Sequence, residues 1–388
     1  LFVHRNTEFM RLLILLILLL VFDGYAFMAV RTLAHSWQPS LRYLLYGIYW
    51  AVPVLLLTWM LGSDAGWFEN WPKSTVTVVR TLFFIVYISK MLVAAVMVVD
   101  DLRRLIGWLA TQLGSGVEFS AGRSRFLAQL GLMLGAVPFF SLIYGMVRNP
   151  YRYRLFTEKV RIPGLPDALQ GLKIVQISDI HSGSFLHKEP VRNAVDLINA
   201  QQPDLVFFTG DLVNNKAEEA QPFVDVFDKI NARYGAYSVQ GNHDYGDYVR
   251  WGTDSEKVAN MDLLKDTHRR IGWDLLLNEH RTLEVNGAKV AVIGVENYST
   301  HPRFPKYGDL KQATEGLGMA DLKLLLSHDP SHWEGEVTND YQDIAITFSG
   351  HTHGMQFGVE IPGWIKWSPI KYVYKQWAGL YQSGRQFL

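Results

Sequence analysis

The run LKIVQISDIH at residues 172–181 decides how this chain is read. Its first part is apolar and rich in β-branched residues, as a buried strand requires. It then delivers Asp179 and His181, two residue types that bind metal ions. The pattern recurs four more times. DLVFFT (204–209) runs into Gly210-Asp211, and AYSVQ (236–240) into Gly241-Asn242-His243-Asp244. LKLLL (322–326) runs into Ser327-His328, and DIAITFS (343–349) into Gly350-His351-Thr352-His353. Ligands of open α/β sheets gather beyond the carboxyl ends of strands. Five such strands bring metal-binding side chains to one rim.

The donors are imidazoles and carboxylates, and the chain has no cysteine. That set suits Mn, Fe or Zn better than Mg or Ca. It also excludes thiolate ligands and a disulfide framework. Asp179 and His181 are two apart on what reads as an extended strand exit, so alternation would point both to one face. His351 and His353 repeat the spacing. Asp211 offers two oxygens that can bridge two ions, Asn242 a neutral oxygen, and His328 another nitrogen. Two divalent ions opposed by the carboxylates of Asp179 and Asp211 leave a net positive site. Such a site suits hydroxide and an anionic phosphate. Each motif alone is weak: an isolated Gly-Asp is usually a turn. It is the ordered set of five, each at a strand end, that carries the reading. Of 12 histidines, five fall in the motifs. The others, His187, His280, His301 and His332 among them, read as structural or exposed.

The first 150 residues are a different kind of chain. They hold 12 Lys+Arg against 7 Asp+Glu, while the remainder holds 25 against 30. No basic stripe on a folded domain suggests a nucleic-acid partner. Four apolar stretches, about 12–30, 41–61, 75–99 and 126–147, each approach the roughly 20 residues that a membrane span needs. The first has basic residues before it, Arg5 and Arg11, but no small-residue cleavage site after it, so it reads as a span and not a signal peptide. Pro138 in the last is tolerable as a kink. Trp59, Trp67, Phe68 and Trp71 cluster around the second loop, as an aromatic interface belt would. Asp23, Arg80 and Lys90 lie in or near spans, where charges attract a functional reading. The plainer expectation is that they snorkel to an interface, or that Asp23 pairs with Lys90.

A transmembrane region over residues 1–149 and a catalytic domain over 150–388 follow from this division. Asn149-Pro150 breaks the last helix, and Tyr151–Ile162 (YRYRLFTEKVRI) reads as strand-forming. Helical segments are predicted near Lys188–Gln201, Glu218–Tyr234 and Ser255–Ile271. Asn286-Gly287, between two apolar runs, predicts a hairpin. Strands alternating with helices indicate a layered α/β domain.

With these blocks in this order, residues from about 150 to 388 resemble the calcineurin-like metallophosphoesterase superfamily. The nearest likeness is to its membrane-attached bacterial branch, some members of which act on lipid-linked phosphates. The resemblance implies a fold of two packed mixed sheets flanked by helices. It implies one divalent ion held by Asp179, His181, Asp211 and His353, and a second held by Asp211, Asn242, His328 and His351. It assigns His243 as the acid that protonates the leaving oxygen, with Asp244 holding its ring. Two departures stand out. Met355 replaces a glycine of the usual last block. The family pattern also runs on where this chain stops at Leu388, which marks the C-terminus as a candidate truncation.

The function expected is membrane-anchored hydrolysis of a phosphodiester or pyrophosphate by metal-activated hydroxide. The lipid-linked class of substrate draws support from the tail. Met355, Phe357, Ile361, Trp364, Ile365 and Trp367, with Lys366, Lys371, Lys375, Tyr372, Tyr374 and Trp377, mix apolar, aromatic and basic character as a headgroup layer demands. A phosphoesterase fold without chemistry, serving as a scaffold, would be expected to lack a ligand, and none is missing here. A transporter would show paired, Gly/Pro-interrupted spans, and these do not. With four spans both ends share a side. Nine Lys and Arg there, against six on the other, place the catalytic domain in the cytoplasm by the positive-inside rule. Protease is then expected to cut the domain only in permeabilised cells, and cleavage on intact spheroplasts would reverse the assignment.

Overall fold

Long apolar runs with few breakers become long helices. In the computed structural model, which describes residues 2–114, 120–148, 151–356, 358–361 and 363–388, the first four elements are α1 Phe2–Ala34, α2 Pro39–Asp64, α3 Lys73–Gln112 and α4 Ala121–Arg148. Asn149-Pro150 and Phe357 lie outside the described residues, as do the side chains of Arg5, Arg11 and Met355. All four helices are long and apolar enough to cross a membrane. The chain divides into two units, Leu1–Tyr153 and Arg154–Leu388.

In the first unit α3 runs well past the expected end of its span at Val99. No proline interrupts it, and Arg103 and Arg104 each bond Asp100 one turn earlier, at 2.8 and 2.9 Å. Such pairs support a helix. The α3–α4 contact is close because Gly131 and Gly135 stand four apart on α4. A β-carbon on Gly135 would come within 2.6 Å of the Val93 Cγ2 and 2.9 Å of the Ser89 carbonyl oxygen. Small residues at this spacing let membrane helices approach, where lipid offers no hydrophobic drive to pack them. Trp59 stacks on Phe68 at 4.2 Å between centroids, and Trp71 meets Phe68 edge-on at 4.8 Å.

Asp23 does pair with Lys90, at 2.6 Å, with both side chains buried. The Tyr87 hydroxyl donates to the other carboxylate oxygen at 2.9 Å, and the Tyr49 hydroxyl to the Asp23 carbonyl at 2.7 Å. The Lys90 ammonium also lies 4.4 Å from the centre of the Tyr49 ring. One ion pair thus ties α1, α2 and α3.

Among the described residues the second unit has twelve strands. β1 Ile174–Ile177, β2 Leu205–Phe208, β3 Ala236–Ser238 and β4 Trp273–Leu275 form a sheet in that order, all parallel. β5 Glu279–Val285, β6 Ala288–Gly294, β7 Leu322–Leu326, β8 Ile346–Phe348, β11 Gln382–Ser383 and β12 Gln386–Phe387 form a second, in the order β11-β12-β8-β7-β6-β5. β9 Val359–Ile361 and β10 Ile365–Trp367 make a separate antiparallel hairpin. Only the six-stranded sheet mixes directions. Asn286-Gly287 forms the expected tight turn of the β5–β6 hairpin, with φ of 51° and 89°.

Strand alternation builds the layers. Leu205 and Phe207 of β2 pack with Val290, Val292, Leu322 and Leu324 between the sheets. Phe208, on the opposite face, packs against Val191 and Val195 of α5 (Lys188–Ala200) and Leu264 of a longer helix, Asp254–Arg270. Ile293 and Leu325 face outward onto Leu310, Trp333 and Val337. The result is helices, sheet, sheet, helices.

Two expectations fail. Tyr151–Ile162 holds no strand: residues 152–159 are exposed and irregular, and five charged side chains leave no apolar face to bury against a sheet. Glu218–Tyr234 is not one helix. Short turns at Ala217–Glu219 and Gln221–Phe223 precede a single turn of α-helix, Val224–Phe227. Pro222 supplies no amide hydrogen to a continuing ladder.

The buried pair yields a stability test. Asp23→Ala strands the Lys90 ammonium and is expected to cost about 3–5 kcal/mol. The double variant Asp23→Leu/Lys90→Met should recover most of it. Unfolding of the detergent-solubilised chain measures both, and an Asp23→Ala protein as stable as wild type would refute the role.

Candidate metal centre

Each motif loop leaves the carboxyl end of its strand. β1, β2 and β3 are parallel neighbours, and so are β7 and β8. The loops therefore leave both sheets at strand carboxyl ends. The exits are not extended, which corrects the alternation expected for Asp179/His181 and His351/His353. Asp179, His181, Asp211, His351 and His353 all have left-handed backbones, with φ between 47° and 68°. Few non-glycine residues adopt this conformation, and functional sites collect those that do. The chain curls in this way after β1, β2 and β8, and curling is what turns these side chains to a common point. Gly210 has φ 98°, and a β-carbon there would lie 2.5 Å from the Gly241 amide nitrogen. The β2 and β3 loops touch only because that position is bare.

Two groups of donors result. Ligand atoms of Asp179, His181, Asp211 and His353 all lie within 4.8 Å of one another. His353 Nε2 is 3.1 Å from Asp179 Oδ1 and 3.1 Å from His181 Nε2, and His181 Nε2 is 3.6 Å from Asp211 Oδ2. The second group surrounds Asn242. Its Oδ1 is 2.7 Å from His351 Nδ1 and 3.2 Å from His328 Nε2, which is itself 3.2 Å from Asp211 Oδ2. Asp211 Oδ2 belongs to both groups. All seven residues named as ligands from the sequence are thus brought together.

The tautomers follow from the outer partners. His328 Nδ1 faces the Thr209 carbonyl at 2.7 Å, which can only accept, so Nδ1 carries hydrogen and Nε2 is the nitrogen turned inward. Tyr374 donates its hydroxyl to the buried Asp329 at 3.1 Å and receives His351 Nε2–H at 2.9 Å. His351 therefore presents a bare Nδ1 to the centre. These are the outer hydrogen bonds that orient metal-binding histidines. The two inward nitrogens are 3.3 Å apart, a spacing that either a proton on His328 Nε2 or a shared metal ion satisfies.

The electrostatics agree. Burial opposes charge on His328, but the carboxylates of Asp211 and Asp179 outweigh it and raise the imidazole to about 10. Burial and that neighbouring cation push His351 down to about 4. Burial would raise Asp179 and Asp211, yet the surrounding histidines hold both below the ordinary carboxylate range. The cluster thus draws positive charge onto whatever it holds. Divalent ions held there would meet that demand and displace the proton. Donors about 2.1 Å from an ion stand about 3 Å apart at right angles, the spacing seen here. The residues fit two ions.

His243 sits beside the first group, its ring 4.9 Å from that of His181 and nearly perpendicular to it. Asp244 does not hold this ring, contrary to expectation. The carboxylate of Asp244 is buried under the loops, where it accepts from the amides of Gly241, Asp211, Leu212 and Val213. Four amide donors engage it too fully to leave an oxygen for the imidazole. Burial and the nearby Asp211 raise it to about 7. The ring is held instead by the Asn214 carbonyl, 2.7 Å from Nδ1.

Several participants escaped the sequence reading. Asp329 follows Ser327-His328 directly, and that adjacency was the available signal. Tyr374 was grouped with headgroup aromatics but is buried against the metal centre. Tyr248 accepts from Asn242 Nδ2 at 2.9 Å and packs on His243. Asn214 acts through its main chain, which leaves no residue signature.

A family model described as "Calcineurin-like phosphoesterase" matches residues 172–355, and one described as "Probable Calcineurin-like phosphoesterase, transmembrane domain" matches residues 10–150. The "Uncharacterized metallophosphoesterase YkuE" of Bacillus subtilis is 29% identical over 62% of this chain and 79% of its own length. A "Transmembrane protein with metallophosphoesterase domain" from Danio rerio is 26% identical over 65% of this chain and 55% of its own, and the Bos taurus protein of that name is 25% identical over 72% and 60%. The alignments thus span little more than half of the two vertebrate proteins. Among solved structures, TT1561 of Thermus thermophilus overlaps 46% of this chain and 81% of its own, at 13% identity and a TM-score of 0.33. With both of its halves matched by phosphoesterase models and its relatives bearing the same domain, the chain belongs to the calcineurin-like metallophosphoesterase superfamily.

Proposed function

We propose that the chain is a membrane-anchored two-metal phosphoesterase acting on a phosphodiester or pyrophosphate. The observation that carries this is the pair of donor groups sharing Asp211 Oδ2, with His243 beside one of them. Asp179, His181, Asp211 and His353 would hold one ion, and Asp211, Asn242, His328 and His351 the other. Mn, Fe or Zn suits these donors. Bound ions supply an activated water nucleophile and stabilise the charge that develops on the phosphoryl oxygens. Everything else falls to the chain. Asp329 and Tyr374 fix the ring of His351, and the Thr209 carbonyl fixes that of His328. The Asn214 carbonyl keeps a proton on His243 Nδ1, so Nε2 is the atom that gives a proton to the leaving oxygen. A carbonyl steadies the imidazolium without fully neutralising it, which leaves the ring a competent acid. Asp244 positions the Asp211 and Asn242 loops and touches no reacting atom.

The substrate is proposed to be lipid-linked. The β9–β10 hairpin directly follows the last metal motif and is apolar yet exposed. Trp364 is 77% and Tyr372, just beyond the hairpin, 76% exposed, with Val359 and Ile361 also open. Lys371 places its charge 5.2 Å from the centre of the Tyr372 ring, and Lys366 of β10 lies 5.3 Å from that of Trp377. Side chains of this kind settle at the headgroup boundary and meet lipid phosphate. Tyr374, buried behind His351, is withdrawn from this surface.

Two substitutions separate metal from acid. Hydrolysis of bis(4-nitrophenyl) phosphate with added Mn, alongside metal content, provides the readout. Asp211→Asn should lower both together. His243→Ala should keep the metal but cut turnover by about 10²–10⁴-fold, less for good leaving groups. Near-full activity in Asp211→Asn would sink the two-metal reading, and equal losses for good and poor leaving groups would sink the acid.

The hairpin has its own test. Wild type should turn over a lipid-linked diester at least about tenfold better than its soluble headgroup analogue. Trp364→Ala/Tyr372→Ala should lose that preference while hydrolysing the soluble analogue normally. Equal turnover of both substrates by wild type would refute the lipid assignment.

A further inference from the structure

A cavity of about 350 Å³ opens in the helical unit at the end where α1 finishes and α4 starts. Arg31 and His35 line it from the end of α1, Arg104 from α3 and Arg125 from the first turns of α4, with Met28 and Thr32 along one wall. Three arginines from three helices, each open to solvent, therefore line one space. Among the described residues, no acidic side chain lines that space. Asp100, the carboxylate that Arg104 bonds, is buried and already engaged. It accepts from Arg103 at 2.8 Å, from Arg104 at 2.9 Å and from Ser124 at 3.3 Å. Among the described residues, Arg31 and Arg125 have neither an ion-pair nor a hydrogen-bond partner. Gathering like charges costs free energy that an anion would recover. The N-terminal amides of α4, a helix of 28 residues, add partial positive charge at the same end.

The chemistry of the lining selects the ligand. Guanidinium forks match the paired oxygens of phosphate and carboxylate, and phosphate offers three acceptors to several donors at once. Met28 and the stems of the arginines give one side of the cavity an apolar wall, continuous with a helix that is itself a candidate span. Basic pockets between membrane helices hold the headgroups of anionic lipids in this way. We propose that Arg31, Arg104 and Arg125 together form a binding site for a phosphate oxyanion, of the kind carried by an anionic phospholipid headgroup or by free phosphate. The site belongs wholly to the helical unit and is independent of the metal centre.

The test uses the full chain, purified and delipidated in a neutral detergent. One arm measures retention of phosphatidylglycerol against phosphatidylcholine by native mass spectrometry. The other measures the thermal unfolding shift from inorganic phosphate against chloride at equal ionic strength. Wild type should prefer phosphatidylglycerol by about tenfold, or be stabilised by phosphate, and Arg31→Gln/Arg125→Gln should lose that response. A response in the lipid arm alone assigns the site to a headgroup, and a response to phosphate assigns it to the free oxyanion. Should the double variant fail to fold, Arg31→Gln and Arg125→Gln singly should each lose several-fold. Arg148→Gln, an exposed arginine at the far end of α4 and outside the cavity, serves as the control. Equal loss in Arg148→Gln, an unchanged response in the double variant, or no preference in wild type in either arm would overturn the proposal.

Discussion

The buried carboxylate of Asp211 is the point on which the phosphoesterase domain turns. One oxygen, Oδ2, faces His328 on one side and His181 on the other, while Oδ1 accepts the His243 amide at 2.8 Å. A fully buried anion is tolerable only when it is surrounded by donors and cations. The fold provides them by bringing five loops together, three of them curled inward by left-handed turns, and those turns are held by contacts elsewhere. Asp244 is the clearest case. It commits its whole hydrogen-bonding capacity to the backbone of the Asp211 and Asn242 loops. The strain at the rim is thus offset by polar bonds one layer below it.

The helical unit solves a similar problem differently. Asp23 and Lys90 neutralise each other in an apolar bundle, with the Tyr87 hydroxyl on the other carboxylate oxygen and the Tyr49 hydroxyl on the Asp23 carbonyl. Asp100 does the same with two arginines and a serine. Both sites cross-link helices that otherwise pack through small side chains and dispersion alone.

Much of this was legible in the sequence, for definite reasons. The five motif strands, the two-unit character and the hairpin at Asn286-Gly287 were readable because apolar periodicity and turn chemistry are local properties. The identities of the seven donors followed because few other residues bind metals. What the sequence hid was conformational or main-chain in origin. Extended exits were expected at Asp179 and His351, since left-handed turns at aspartate and histidine leave no compositional mark. Asp244 was placed on the ring of His243 because it is adjacent in sequence, whereas its buried position directs it to four amides. The Asn214 carbonyl that takes its place has no side-chain signature. Strand propensity in Tyr151–Ile162 came to nothing because no sheet edge receives it.

The order of the strands along the chain has a consequence for how the domain comes into being. β1 to β4 pair with successive neighbours, so the first sheet assembles from contacts made within residues 174–275. That stretch carries both carboxylates, Asn242 and a single metal-binding imidazole, His181. The second sheet, with His328, His351 and His353, is emitted later, and its strand β12 takes its place beside β8 from the last few residues of the chain. A ribosome therefore exposes the anionic half of the centre before its counterweight of nitrogen donors. During that interval the carboxylates have hydration, their loop amides and His181 for company. The set of nitrogen donors is complete only once the chain has been made past β8.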